Sequence, residues 1–134
     1  LLLINNMKKV ICKYIREKSK LQSRIVYKLF GPYAILEKVP GKIIGCVLST
    51  SNGVVGWSLL HKDDQLDTNN LVHPSIQERN NKLIKQTAYG MALNRAIAFE
   101  EMLDEEKQEF LNKVPHSIRK EFETMQFRSK KYFK

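Results

Sequence analysis

Hydrophobic positions follow two different patterns along the chain. The first sixty residues are rich in β-branched and aromatic residues and are interrupted by turn signals, whereas the remainder repeats its apolar residues at helical spacing. The predicted strands cover residues 9–15, 24–29, 33–39, 42–49 and 53–60. Because the strands precede the helices instead of alternating with them, the sequence predicts an α+β fold that begins with an antiparallel β-meander of four to five strands.

Two turn signals within this part are specific about backbone conformation. Pro40-Gly41 suits a type II turn, and Asn52-Gly53 supplies the positive φ values of a type I′ hairpin. Both favour hairpins that connect neighbouring strands.

The second part of the chain predicts one long helix and one or two shorter ones. The long helix begins near Pro74 or Ser75 and runs to Leu103, since proline suits the first turn of a helix. At 100° per residue, one stripe of this helix is predicted to cover the sheet. It consists of Ile84, Ala88, Met91, Arg95, Ala98 and Met102.

After the long helix, Asp104 is the predicted N-cap of a second helix, which runs to Val114, and Ser117 is the predicted cap of a third segment over residues 118–127. We expect a single domain over residues 1–134, with residues 1–8 and 128–134 frayed. Met7 is the expected natural start.

The charge balance predicts an anionic partner. The chain carries 23 Lys+Arg against 14 Asp+Glu, a formal net charge of +9, and such an excess attracts polyanions. Basic residues surround Tyr14 and Tyr27 in the N-terminal strands and Tyr132 in the tail. Aromatic and basic side chains together can bind nucleic acid by stacking and by phosphate contacts, so a nucleic-acid-binding regulator is one alternative.

Arg95 is the most informative single residue, because a guanidinium within an apolar stripe needs partners that offset its desolvation. One alternative is a bidentate pair with a loop carboxylate, Asp63 or Asp64. The other is a cleft in which Arg95 binds a phosphate or carboxylate of a ligand, together with Lys62.

Catalytic and metal-binding patterns are not found in the sequence. The three histidines are isolated, and there is no nucleophile elbow, phosphate-binding glycine loop or paired-cysteine metal motif. Cys12 and Cys46 are interpreted as small buried thiols. We therefore expect a protein without enzymatic activity, cofactor or membrane segment, in the cytoplasm.

Three short motifs carry a resemblance to a known family. Gly56-Trp57-Ser58, Lys62-Asp63 and Ala92-Leu93-Asn94-Arg95-Ala96 resemble a motif of small phage-encoded proteins, in which Gly-x-Ser is followed by Lys-Asp, an aromatic residue and a helix with Ala-x-x-Arg-Ala. Leu66 stands where the aromatic residue is usual, and residues 67–80 resemble an insertion.

The order of elements, the size and the charge are also similar to those of the Thoeris anti-defence sponges. These phage proteins sequester a cyclic ADP-ribose-type immune signal without cleaving it. The resemblance implies a homodimer or higher homo-oligomer in the host cytoplasm, with pockets at subunit edges where basic and aromatic side chains hold the nucleotide.

The leading hypothesis is therefore a phage-type counter-defence protein that captures an anionic nucleotide. Its candidate ligand-binding residues are Arg95 and Lys62 for phosphate, Trp57 and Tyr89 for stacking, and Asp63, Asn94 and Lys85 beside them. A third alternative is an inhibitor that binds a host enzyme through the outer face of the long helix. That face contains Lys82, Lys85, Gln86, Tyr89 and Leu93.

Overall fold

The computed structural model describes residues 9–39, 41–61 and 73–133. Within these residues five strands come first: β1 Val10–Arg16, β2 Lys20–Lys28, β3 Gly31–Val39, β4 Ile43–Thr50 and β5 Val55–Leu59. Three α-helices follow in the described part of the chain, α1 Pro74–Glu100, α2 Asp104–Asn112 and α3 Arg119–Tyr132, with a 3₁₀ turn over His116–Ile118. The predicted α+β class, with antiparallel strands before one long and two shorter helices, is confirmed.

The strands form two separate sheets, so the connectivity differs from one consecutive meander. β1, β4 and β5 form a three-stranded antiparallel sheet with β4 in the centre, while β2 and β3 form a two-stranded hairpin of their own. The reason lies in β4, whose side chains are buried on both faces. A strand of this kind needs a neighbour on each edge and a helix on each face, whereas the described side chains of β2 and β3 are exposed or only half-buried.

Helices cover both faces of the three-stranded sheet, and alternate residues of β4 face each layer. Val47 and its partner Trp57 face α3, in a cluster completed by Ile15, Val55, Val114, Ile118, Phe122 and Met125. Cys46 and Leu48 face α1, in a cluster completed by Ile43, Leu60, Ile84, Ala88, Ala92 and Ala96. The core is therefore a three-layer sandwich with β4 at its middle.

The buried stripe of α1 differs from the predicted one beyond Ala88. It continues through Ala92 and Ala96, whereas Met91 and Arg95 are only half-buried and Ala98 is exposed. Gly56 on β5 explains the choice, because a Cβ there would collide with the Ala92 carbonyl oxygen and lie 2.9 Å from the Ala96 Cβ. Small residues on both elements let the two backbones approach closely, which a stripe of methionine and arginine could not do.

The helix ends are capped differently from the prediction at two of three sites. α1 begins at Pro74 as predicted, and the His73 ring accepts from the Ser75 backbone N–H at 3.2 Å. The N-cap of α2 is Leu103, with Asp104 as the first helical residue. Ser117 lies inside the 3₁₀ turn and caps no helix, because α3 begins only at Arg119.

The prediction of a frayed C-terminal tail is wrong for the described residues beyond Phe127. α3 continues to Tyr132, and Ser129 is buried against the sheet, where it accepts a hydrogen bond from the Ser49 hydroxyl at 2.6 Å. The helical spacing of apolar residues ends near Phe127, but the buried Ser49–Ser129 hydrogen bond fixes the last turns of α3 against the sheet. Residues 1–8 and 134 lie outside the described residues.

The β4–β5 connection is not the predicted type I′ turn. Gly53 has φ +78°, but Asn52 has a negative φ, and the Gly53 N–H donates to the Thr50 carbonyl at 2.9 Å. A second bond joins the Thr50 N–H to the Val54 carbonyl. This pattern is a type I turn followed by a left-handed glycine, which suits a three-residue loop. The predicted turn at Pro40-Gly41 contains a residue outside the described ones.

Candidate functional site

Arg95 reaches from α1 to the edge strand β5. Its Nη1 donates to the Trp57 carbonyl oxygen at 3.0 Å, and its guanidinium carbon lies 3.9 Å from the centre of the indole ring. An edge strand leaves outward carbonyl groups without a neighbouring strand, so the guanidinium supplies a donor there. Partial burial lowers the pKa of Arg95 below its usual value. Arg95 thus joins the helix to the sheet.

These contacts bear on the two alternatives for Arg95. Within the described part of the chain its partners are an aromatic face and a backbone carbonyl, and none is a carboxylate. The proposed loop partners, together with Lys62, lie outside the described residues. An acidic partner for Arg95 therefore stays a prediction. The contact with Trp57 is a structural role that the sequence pattern did not indicate.

The other described candidates lie at different places on α1. Lys85 lies near β1, with Nζ 5.8 Å from the centre of the Tyr14 ring, and Tyr89 packs against the cluster beneath α1. β1 and β5 are the two opposite edges of the sheet, so these residues do not converge with Arg95 and Trp57. Asn94 is exposed. The predicted outer face of α1 is also wrong for Tyr89 and Leu93, since both are half-buried against the core.

The β2–β3 hairpin forms a sheet of its own, and one of its faces carries three basic side chains beside Val26, Ile35 and Val39. In its register Lys20 stands opposite Val39, Arg24 opposite Ile35 and Lys28 opposite Gly31. Residues four apart on a strand share a face, so the three basic side chains form a row about 27 Å long at about 3.4 Å per residue. The Arg24 Nε lies 3.4 Å from the Glu37 Oε1, an exposed pair of small energetic weight. We call this row, Lys20, Arg24 and Lys28, the basic face.

The opposite face of the hairpin is mostly apolar and open to solvent. Beside Ser23 and Lys38 it carries six exposed apolar residues, Leu21, Ile25, Tyr27, Pro32, Ala34 and Leu36. At the tip, Leu29 and Phe30 are 91% and 87% exposed. A two-stranded hairpin is at best marginally stable alone, and apolar groups are normally buried when a surface has no partner to bind. We call these six residues the apolar face of the hairpin.

A groove lies at the far end of the sheet, between the β4–β5 turn and the end of α3. It has a volume of about 410 Å³ and is lined by Ser51, Asn52, Gly53, Gln126, Ser129, Lys130 and Phe133. An adjoining depression adds Lys9 and Tyr132. The Tyr132 and Phe133 rings meet edge to face at 4.9 Å between centres. The volume is within the range of small-molecule sites, and two lysines with two aromatic rings suit an anionic aromatic ligand.

Comparisons with known proteins do not assign this chain to a family. Searches against protein-family models, curated proteins and solved structures found no significant match. Over residues 9–39, 41–61 and 73–133, no group of three or more histidine, cysteine or acidic side chains is placed to hold a metal ion. No helix in the same residues has both the length and the apolar character to cross a membrane.

Sequence reasoning gave the basic residues around Tyr27 as a nucleic-acid-binding alternative, but it did not assign them to one face of a hairpin. Lys20, Arg24 and Lys28 recur every four residues, with Gln22 and Val26 at the even positions between them, and positions 21, 23, 25 and 27 are leucine, serine, isoleucine and tyrosine. This partial alternation predicts a strand with one more polar and one more apolar face. The alternation cannot show that the apolar face stays uncovered, because that depends on where the other elements pack.

Proposed function

We propose that this protein binds double-stranded DNA through the β2–β3 hairpin. The observation that carries the proposal is the hairpin's basic face, three cationic side chains in a row on a ribbon whose strands pack mainly on each other. The DNA major groove is about 12 Å wide and admits a two-stranded ribbon, whereas the major groove of A-form RNA is too narrow. The overall charge of +9 favours the same partner.

In this arrangement the basic face contacts phosphates and positions the ribbon. Tyr33, which shares that face and is 47% exposed, is next to Lys28 and can contact base edges or sugars. Phosphate contacts carry no sequence information, so we expect binding of many sequences with similar affinity. The tip residues Leu29 and Phe30 add apolar contact with thymine methyl groups.

The hairpin's apolar face supports the further proposal that the protein acts as a homodimer. Two copies related by a two-fold axis can cover each other's apolar faces, which leaves both basic faces outward. The aromatic ring of Tyr27 alone buries about 150–250 Å², and with five further apolar residues the pair approaches the roughly 800 Å² per partner of a standard interface. Light scattering should give a dimer for the native chain and a monomer for Ile25→Asp.

The test of DNA binding is fluorescence anisotropy with a labelled 20-base-pair duplex over a range of salt concentrations. Replacing the three residues of the basic face by glutamine should reduce the slope of log K against log salt by about 2.7, and should weaken binding several-hundred-fold at 0.1 M salt. The matched control replaces Lys82, Lys113 and Lys120, which are exposed residues in α1, directly after α2 and in α3, by glutamine. It removes the same charge and should change the slope by less than one unit.

Two results would reject the proposal. One is equal loss of binding by the hairpin variant and the helix control, which would mean that net charge alone attracts DNA. The other is unchanged binding by the hairpin variant. Stronger binding to single-stranded than to duplex DNA would also overturn the groove geometry.

Capture of an anionic nucleotide is a second candidate, favoured by the groove at the end of α3. There Lys130 and Lys9 can contact phosphates and Phe133 can stack on adenine. Calorimetric titration with cyclic ADP-ribose should then show one site per chain that Lys130→Gln weakens at least tenfold. No heat of binding at millimolar nucleotide would remove this candidate and leave DNA binding untouched.

A further inference from the structure

Two thiols meet between β1 and β4. The Cys12 Sγ lies 3.1 Å from the Cys46 Sγ, and neither cysteine is in a disulfide. Cys12 stands opposite Leu48, and Tyr14 stands opposite Cys46, so the two cysteines are diagonal neighbours on the face that packs against α1. A disulfide bond is about 2.05 Å long, so the two sulfur atoms need to approach by only about 1 Å.

The two thiols differ in access. Cys46 is fully buried in the central strand, whereas Cys12 is only half-buried because β1 is an edge strand. A small oxidant can therefore reach Cys12 but not Cys46. A pair that forms a disulfide on oxidation needs this difference in accessibility, because the accessible sulfur reacts first and the protected sulfur beside it reacts second.

The surroundings also shift the pKa values of the two thiols in opposite directions. The hydrogen bond from Cys46 lowers the pKa of the Cys12 thiol, and an interaction with the Tyr14 hydroxyl acts in the same direction, although burial opposes both. The same hydrogen bond and burial raise the pKa of Cys46. The thiolate is the reactive form of cysteine. Cys12 is thus the nucleophile and Cys46 stays protonated until it reacts.

We infer that Cys12 and Cys46 are a peroxide-oxidisable pair that forms an intramolecular disulfide between β1 and β4. The Cys12 thiolate attacks one oxygen of hydrogen peroxide, the O–O bond breaks, and Cys12 becomes a sulfenic acid as the leaving hydroxide takes a proton. The Cys46 sulfur then attacks the Cys12 sulfur, and the hydroxyl group leaves as water with the Cys46 proton. Overall two thiols and one peroxide give one disulfide and two waters.

Such a disulfide would restrain the way in which the β2–β3 hairpin is attached to the three-stranded sheet. The disulfide closes a loop between residues 34 positions apart, and this loop contains the whole of β2 and β3. Oxidation would therefore join the base of the hairpin covalently to the central strand and hold its attachment in place. The chemistry of the pair does not depend on what the hairpin binds, so it can be tested independently of DNA binding.

The experiment uses the full-length protein, reduced and freed of reductant, with a small excess of hydrogen peroxide. Intact mass under denaturing conditions should fall by about 2 Da, the loss of two hydrogens on disulfide formation, and thiol counting after unfolding should find none. The oxidised protein should unfold at a temperature roughly 10 °C higher, because closing a loop of this length constrains the unfolded chain.

Two variants assign the roles of the sulfurs. In Cys46→Ala the reaction should stop at Cys12, where dimedone traps the sulfenic acid, whereas Cys12→Ser should not react with peroxide at the same concentration. If either variant fails to fold, peptide mapping of the oxidised wild-type protein still shows directly whether Cys12 and Cys46 are bonded. Two retained thiols after peroxide, or a Cys12–Cys12 bond between two chains, would overturn the inference.

Discussion

Replacing Arg95 by alanine should destabilise the fold by about 2–3.5 kcal/mol. The variant loses a charged hydrogen bond to the Trp57 carbonyl at 3.0 Å, worth about 1.5–3 kcal/mol. It also loses a guanidinium placed 3.9 Å from the indole centre, worth about 0.5–2 kcal/mol. Both contacts are partly exposed, so the lower half of the summed range is expected.

Urea unfolding followed by tryptophan fluorescence measures this change, since Trp57 is the single tryptophan and lies in the contact itself. The midpoint should fall by about 1 M or more if the m-value is about 2 kcal/mol/M. Arg79→Ala is the matched control, because it removes the same charge from an exposed position of the same helix. It should change the unfolding free energy by less than about 0.5 kcal/mol.

Arg95→Lys tests whether the positive charge or the planar shape of the guanidinium stabilises the fold. Lysine keeps the positive charge but lacks the planar group that stacks on the ring and donates to the carbonyl at the same time. It should recover less than half of the lost free energy. If Arg95→Ala instead matches Arg79→Ala in stability, the contact with Trp57 has no structural weight, and a loss of nucleotide binding in that variant would restore the role of Arg95 as a ligand residue.

Further substitutions test the packing and the pKa of Tyr14. Gly56→Ala should lower the free energy of unfolding in urea by about 1–3 kcal/mol, because the new Cβ would collide with α1. Gly90→Ala, whose Cβ would have no atom within 4 Å, should raise it by up to about 1 kcal/mol. Equal effects of the two substitutions would contradict the close approach of β5 to α1. Ser129→Ala should cost about 1–3 kcal/mol by removing the partner of Ser49, and the double alanine variant should recover part of that loss. Burial, with smaller contributions from neighbouring thiols, raises the pKa of Tyr14 to about 12, above its usual 10. Folding therefore favours the neutral phenol, so stability present below pH 10 should decline towards pH 12, and Tyr14→Phe should reduce that decline in unfolding measured from pH 9 to 12.

Much of the secondary structure was predictable because it depends on local pattern. Each predicted strand overlaps an observed one, and α1 begins at Pro74 as expected. The prediction of the buried stripe failed after Ala88, because spacings of three and four residues rank the apolar positions almost equally. Gly56 decided between them by admitting only Ala92 and Ala96 against β5.

The candidate site was less predictable, because sequence neighbours on one helix can lie at opposite edges of a sheet. Lys85 and Arg95 were grouped by their chemistry, but Lys85 lies near β1 and Arg95 contacts β5. Cys12 and Cys46 were separated by 34 positions and treated individually, yet strand pairing brings their sulfur atoms to 3.1 Å. Pairing between distant strands carries no local signal that could have found this contact.

The sequence by itself determined the α+β order of elements, the excess of positive charge and the basic and apolar positions of β2, because each depends on composition or on residues near one another in the chain. The tertiary structure alone decided that β4 pairs with β1, that two cysteines meet and that the apolar face of the hairpin stays exposed. These features depend on which surfaces the other elements cover. β4 is buried on both faces between β1, β5 and two helices, and this arrangement leaves the hairpin's apolar face open to a partner.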